Sequence, residues 1–268
     1  MDYNKVIALV KEAKKFISQD NIDNVKMKGE ADFVTVVDTN ISDFLKNELH
    51  ALYPNIGFFS EEEDGKLEED CWILDPIDGT TNLVYGYNMS SISLAHYVHG
   101  QGVVFGVVYQ PFTNELFTAI KGEGAYLNGT KRLSVSNRPF NRAIIEFGSG
   151  ATHKENAEEN FKIALSLFKE CVDIRRICST ALVLCFIADG RIDGYFEKII
   201  KPWDIAAGSL FVEEAGGKMT DYNGNPIDFT NKKTTIIVSN GLIHEKVVSK
   251  ITEIVGYNNE ENYYYYFI

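Results

Sequence analysis

The sequence predicts a mixed α+β / α/β protein built of two packed sheet-and-helix halves, and three patterns predict it. Two N-terminal segments repeat apolar residues at helical spacing: Val6, Ile7, Leu9, Val10, Ala13, Phe16 and Ile17 in the first, Ile41, Phe44, Leu45, Leu49 and Leu52 in the second. Each is apolar along one face, as a helix laid against a sheet must be. Between 90 and 128 the pattern becomes that of strands. Ile92-Ser93-Leu94-Ala95-His96-Tyr97-Val98, a His99-Gly100-Gln101-Gly102 turn, and strands over 103–109 and 115–120 read as an antiparallel meander. After residue 140 strands and helices alternate, with helices over 157–170, 180–188 and 205–215. No low-complexity linker separates the halves, 1–140 and 141–268, so one unit with its site between the halves is expected.

The chain of 268 residues is 45% hydrophobic, enough for one large domain or two packed halves. Its 26 basic and 38 acidic residues leave a net charge of −12, a field that repels nucleic acid and anionic membrane surfaces. The same field repels a phosphate ester, so an anionic substrate would need metal ions to invert the local sign. Cys71, Cys171, Cys178 and Cys185 form no Cys-x-x-Cys pair, and three lie in apolar runs, which predicts reduced, buried thiols and no zinc site. No signal peptide, transit peptide or apolar run of roughly 18 residues is legible, which predicts a soluble cytoplasmic protein.

The run Trp72-Ile73-Leu74-Asp75-Pro76-Ile77-Asp78-Gly79-Thr80-Thr81-Asn82 loads two carboxylates and a glycine turn onto the end of an apolar strand. Asp75 emerges at the buried end of that strand, where an unpaired carboxylate costs several kcal/mol and calls for a cation. Pro76 fixes the turn, Gly79 lets the backbone approach a ligand closely, and Thr80 opens a predicted helix whose N–H groups suit a phosphate. Three more acidic clusters stand where apolar segments meet turns. They are Gly57-Phe58-Phe59-Ser60-Glu61-Glu62-Glu63-Asp64, Ala31-Asp32-Phe33-Val34-Thr35-Val36-Val37-Asp38 before a helix over 40–52, and Trp203-Asp204-Ile205-Ala206-Ala207-Gly208. Taken singly, each also reads as a turn, a helix cap or a solvated charge run.

Taken together, Asp75 and Asp78, the preceding glutamates and the late Trp-Asp-x-Ala-Ala-Gly resemble the inositol monophosphatase family. The resemblance extends through Gly122-Glu123-Gly124-Ala125-Tyr126-Leu127-Asn128-Gly129 to Glu213-Glu214-Ala215-Gly216-Gly217-Lys218-Met219, nearly the whole chain. It implies a layered α-β-α-β-α sandwich, a magnesium-dependent and lithium-sensitive phosphomonoester hydrolase, and a homodimer. Fructose-1,6-bisphosphatases and 3'(2'),5'-bisphosphate nucleotidases share the superfamily and are the alternative substrate readings.

Carried over residue by residue, the resemblance makes Glu61, Asp75 and the Ile77 carbonyl ligands of one Mg²⁺, and Asp75, Asp78 and Asp204 ligands of a second. Glu61 would reach a third ion through water, and Mn²⁺ would substitute, since carboxylates and carbonyls are hard oxygen donors. Gly79 and Thr80 would hold phosphate, and Thr80 with Asp38 would orient the attacking water. Glu197 matches the glutamate that receives ring hydroxyls of the substrate alcohol, beside a wall of Cys178, Ser179 and Thr180. Here Cys178 stands where the family has glycine, Thr180 where it has alanine, and Ser60 where it has glycine before the glutamates.

Two other classes remain to be weighed. An idle phosphate-binding scaffold would lack a ligand or the water-orienting pair, and neither is missing; a Ca²⁺ loop needs a spacing absent here. His50, His96, His99, His153 and His244 show no metal spacing or serine-nucleophile motif, which predicts structural roles. Gly122-Glu123-Gly124 lacks the further glycine of a dinucleotide loop and predicts a turn. The four tyrosines at 263–266 predict a terminal strand or an adhesive tail.

Overall fold

The computed structural model describes residues 1–22, 25–27, 33–63, 65–148 and 153–265, with the backbone path alone for 25–27, 33–34 and 257–265. The chain opens with α1 (Tyr3–Glu12), α2 (Gln19–Ile22), the antiparallel pair β1 (Val25–Met27) and β2 (Phe33–Thr35), and α3 (Val36–Leu52). There follow β3 (Gly57–Ser60), β4 (Asp70–Asp78), α4 (Thr80–Val84), β5 (Ser91–Val98), β6 (Gly102–Gln110), β7 (Glu115–Ile120), β8 (Gly124–Leu127) and β9 (Lys131–Arg132). The chain continues with β10 (Ile144–Phe147), α5 (Ala157–Phe168), β11 (Asp173–Arg175), α6 (Thr180–Ala188) and β12 (Gly194–Ile200). It ends with α7 (Pro202–Glu214), β13 (Lys218–Thr220), β14 (Thr234–Ser239) and α8 (His244–Tyr265).

Strands β3 to β9 form one sheet in chain order, parallel between β3 and β4 and antiparallel from there on. The expected meander is β5 to β8. The second sheet runs β11-β10-β12-β14-β13, with parallel neighbours at β10.

Strand alternation stacks these sheets into five layers, because successive side chains point to opposite faces. On β4, Trp72 and Leu74 join Val6 and Val10 of α1 and Ile41 and Leu45 of α3 in an outer core. Their neighbours Cys71 and Ile73 face the other way, into a central core with α6 and α7. That core is closed below by Tyr195 of β12 and by Ile236 and Val238 of β14. Phe196 and Ile237 face outward again to meet α5 and α8. The result is the α-β-α-β-α sandwich. Helix α6 is buried at every position, which explains why 180–188 reads as uniformly apolar rather than one-sided.

Helix α7 lies very close to its neighbours. A Cβ on Gly208 would stand 2.6 Å from Leu184 Cβ on α6, too close for either backbone-proximal atom to give. Gly208→Ala should therefore lower stability by about 1–3 kcal/mol through overpacking, although alanine is favoured over glycine by about 1 kcal/mol in a helix. Urea unfolding checks it; an unchanged or higher midpoint would show that propensity outweighs contact at this crossing.

Several local readings are corrected. Helix α3 begins at Val36, not at residue 40, so Asp38 lies in its first turn rather than at a strand end. Helix α7 likewise begins at Pro202, placing Asp204 inside it. Only Cys71 and Cys185 are buried; Cys171 is half-buried and Cys178 exposed, because it lies in the connection before α6. Helix α8 runs on to Tyr265, so 263–265 are not a strand, and 266–268 lie outside the described residues. The histidines with structural roles include His244, buried between Thr220 Oγ1 and Ser239 Oγ at 3.0 Å each. His96 bridges Asp70 Oδ1 at 2.6 Å and Tyr3 Oη at 2.9 Å. Gly122 and Gly124 take positive φ in a turn whose N–H groups donate to Glu214. Among the described residues no helix is long and apolar enough to cross a membrane.

Candidate active site

The site forms where the central-core face of β4 runs past the ends of β3, α6 and α7. Residues three apart on a regular strand face opposite sides, yet Asp75 and Asp78 belong to one site. A bulge reconciles them: Asp75 pairs with Ser93 and Asp78 with Ser91, three residues against two. Pro76, which has no N–H to give the ladder, sits within that bulge. Ile77 turns its side chain into the outer core, while its carbonyl accepts from Thr80 Oγ1 at 3.0 Å.

Parallel pairing of Ser60 with Leu74 sets Glu61 beside Asp75, and Glu61 N–H donates to the Leu74 carbonyl at 3.2 Å. Asp204 arrives on the first turn of α7, where its Oδ2 accepts from Lys201 N at 3.0 Å. Asp75 is 2% exposed, and its Oδ1 has no hydrogen-bond partner. Burial pushes its carboxyl well above the ordinary range, and the charges of Glu61, Asp78, Asp204 and Asp38 push it further. Asp204 is raised in the same way, by burial and then by Glu61.

Asp78 is satisfied differently. Ser179 Oγ and the N–H groups of Thr180 (3.1 Å) and Ala181 (2.9 Å) donate to its carboxylate, so it caps the start of α6. Those bonds oppose burial, leaving its pKa raised to about 6. Among the described residues no three His, Cys, Asp or Glu side chains stand as a ready-made metal cage. The donor set nonetheless fits a hard divalent cation: a bare buried carboxylate oxygen, surrounded by carboxylates that raise one another, is what a cation would relieve.

Gly79, at φ +85°, makes the turn from β4 into α4; a Cβ there would stand 2.9 Å from the Met89 carbonyl. Ser90 Oγ fixes the Gly79 carbonyl at 2.9 Å. Thr80 Oγ1 lies 3.2 Å from Asp38 Oδ1, so the fold brings together two residues 42 apart. Asp38 Oδ2 accepts from Thr35 N at 2.8 Å and Thr35 Oγ1 at 2.6 Å, a capping box that aims the other oxygen at Thr80. Burial raises the Asp38 pKa and the Thr35 bonds oppose it.

Glu197, on β12, is 7% exposed. Its Oε2 accepts from Tyr195 Oη at 2.5 Å and Thr180 Oγ1 at 3.5 Å. A Cβ on Gly148 would lie 2.2 Å from its carboxyl carbon, so any larger residue there would displace the Glu197 carboxylate. Thr180 thus links Asp78, through its N–H, to Glu197, through its hydroxyl. Cys178 adopts φ +61°, the left-handed region, which costs a side-chain-bearing residue about 1–2 kcal/mol. That conformation is why a glycine suits this position.

Sequence reasoning missed Thr35, Asn82, Glu146 and Tyr195. Thr35 was findable, since Thr-x-x-Asp before a helical repeat is a capping signature. Asn82 was not: its Nδ2 donates to the carbonyls of Met89 and Ile177, both at 2.8 Å, and Ile177 is 95 residues away.

This fold and this arrangement of acids on a bulged strand end define the protein class. The chain belongs to the inositol monophosphatase family, whose family model matches residues 3–255. Nus factor SuhB of Pasteurella multocida is 39% identical over 215 residues, 79% of this chain and 80% of that protein. An IMPase structure from Thermotoga maritima matches with a TM-score of 0.86 and 34% identity, covering 96% of this chain and 99% of that one. An IMPase/NADP phosphatase complexed with Mg²⁺ and phosphate matches with a TM-score of 0.82 and 30% identity, over 92% and 93%.

Proposed function

We propose that the protein is a Mg²⁺-dependent phosphomonoester hydrolase acting on inositol monophosphate or a related polyol or sugar phosphate. The observation that carries this reading is the bare, buried Asp75 oxygen among Glu61, Asp78 and Asp204, a few residues from the Thr80–Asp38 pair. Glu61, Asp75, the Ile77 carbonyl, Asp78 and Asp204 would hold two Mg²⁺ ions, with a third near Glu61 and Mn²⁺ as a substitute. When bound, such ions lower the pKa of water and neutralise charge on phosphoryl and leaving oxygens. Backbone N–H groups at Gly79 and Thr80 receive the phosphate. The Thr80 hydroxyl donates to Asp38 and accepts from the attacking water, and that pair takes up the proton released as the water oxygen bonds to phosphorus. The ester P–O bond would break, the leaving oxygen taking a proton from solvent water while the pair returns its own to solvent, so the step balances without a covalent enzyme intermediate.

A phosphate-release panel tests the reading: myo-inositol 1-phosphate, fructose 1,6-bisphosphate, adenosine 3',5'-bisphosphate and p-nitrophenyl phosphate, each with Mg²⁺ and with chelator. Mg²⁺-dependent release, highest on the inositol ester, is expected; no release from any ester would leave a phosphate-binding scaffold. Lithium at saturating Mg²⁺ should inhibit in an uncompetitive or mixed manner. Purely competitive inhibition, or none, would remove the proposed second metal site.

Glu197 would receive hydroxyls of the substrate alcohol. Glu197→Gln should then cost about 1–3 kcal/mol in kcat/KM on a polyol phosphate, while p-nitrophenyl phosphate, which lacks those hydroxyls, is hydrolysed nearly as before. Thr180→Ala removes one donor to Glu197 and should reorder the polyol phosphates without changing Mg²⁺ dependence. Equal losses on both ester types in Glu197→Gln would move Glu197 off the substrate wall.

A further inference from the structure

Glu146 takes no part in the chemistry above, yet it is 0% exposed and its Oε2 has no hydrogen-bond partner. A wholly buried carboxyl with one bare oxygen is unfavourable for the fold even with the charge of Arg176 near it, so stability alone does not account for it. It stands on β10, opposite Tyr195 of β12, with its neighbours Ile145 and Phe147 in the core beneath the second sheet. Glu146 itself faces the other way, towards the start of α6. There its Oε1 accepts the backbone N–H of Ile177.

That amide begins a short strap, residues 177–181. Glu146 holds it from the second sheet, and Asn82 Nδ2 holds the Ile177 carbonyl from α4 at 2.8 Å. Asn82 Nδ2 also reaches the Cys178 carbonyl at 3.4 Å, and Cys178, just past the tethered Ile177, is kept at φ +61°, a backbone state that a residue with a side chain leaves unless it is held. The next three residues, Ser179, Thr180 and Ala181, all donate to Asp78. The direction of the Asp78 carboxylate is therefore set by the strap, and the strap by Glu146.

We infer that Glu146 is a positioning residue for divalent-cation binding, acting through the strap on Asp78. The inference rests on Asp78 being a metal ligand. Metal-binding carboxylates are oriented by hydrogen bonds from outside the ligand set, and removing such a partner typically weakens metal affinity by about 10- to 100-fold. Glu146→Met keeps the bulk and removes the acceptor; Glu146→Gln keeps one acceptor oxygen for the Ile177 amide.

The test is Mg²⁺ affinity by isothermal titration calorimetry on the folded full-length protein, with circular dichroism to establish folding. Glu146→Met is expected to bind Mg²⁺ on the order of 10-fold more weakly, and Glu146→Gln to restore most of the affinity. In an Asp78→Asn background, Glu146→Met should cost nothing further, because the group through which it acts is gone. Wild-type Mg²⁺ affinity in folded Glu146→Met, or the same loss added on top of Asp78→Asn, would overturn the inference. Should Glu146→Met not fold, Glu146→Asp keeps the charge but shortens the reach; undiminished affinity there overturns it equally. Wild-type affinity in Asp78→Asn alone would instead remove Asp78 from the ligand set, and the inference would fall with it.

Discussion

Asp75→Asn is expected to abolish turnover of every phosphate monoester while raising the melting temperature of the metal-free protein. Both effects come from one oxygen. In the proposed ligand set Asp75 is shared by both metals, and a metal contributes several kcal/mol of charge stabilisation in the transition state, so its loss lowers kcat/KM by on the order of 10³-fold or more. Without metal, the same side chain is a buried carboxyl with a bare oxygen among four other acids, and the isosteric amide removes their mutual repulsion.

The pH dependence has a definite sign. The folded pKa of Asp75 is raised, so above about pH 4 the metal-free folded state holds a proton that the unfolded chain releases. Stability of the metal-free wild type therefore declines as pH rises from the unfolded value through the folded one, and Asp75→Asn flattens that decline. Steady-state kinetics, with melting curves in Mg²⁺ and in chelator across pH, measure both effects. Wild-type turnover, or a Mg²⁺-induced rise in melting temperature undiminished in Asp75→Asn, would remove Asp75 from the metal site.

Thr80→Ala is expected to lower kcat by roughly 10²-fold or more with a smaller change in KM, the size that follows when a group proposed to position and deprotonate the nucleophile is removed. The hydroxyl lies 3.2 Å from Asp38 Oδ1, and Asp38 cannot turn to compensate, because Thr35 holds its other oxygen by two bonds. Thr80→Ser, which keeps the hydroxyl, should retain most activity. A change confined to KM would reassign Thr80 to phosphate binding alone.

In the proposed site, substrate preference would turn on residues whose surroundings no local pattern reveals. Glu197 is legible as a carboxylate near a strand end. Its two hydroxyl donors, one on α6 and one on its own strand, appear only when β12 is packed beneath α6. Cys178 is visible in the sequence, but its conformation, a left-handed residue just past the tethered Ile177, is visible only in the fold.

The sequence alone determined what depends on neighbours along the chain. Strand alternation and helical spacing marked the meander and the N-terminal helices, because burial on one face leaves a period that local geometry reads out, whereas 180–188 was marked by its unbroken apolar run. The run from Asp75 to Thr80 carried its chemistry on its face, since proline, glycine and two carboxylates within six residues leave the backbone few conformations. Helix starts were misplaced at Asp38 and Asp204, where a capping aspartate within the first turn looks like one just before it. Only the tertiary structure decided that a bulge turns Asp75 and Asp78 to one face, that the strap at 177–181 clamps Asp78, and that Glu146 lies beneath it. Each of those relations joins residues far apart in the chain, and a buried carboxylate is assigned its partner by packing, which no local sequence period encodes.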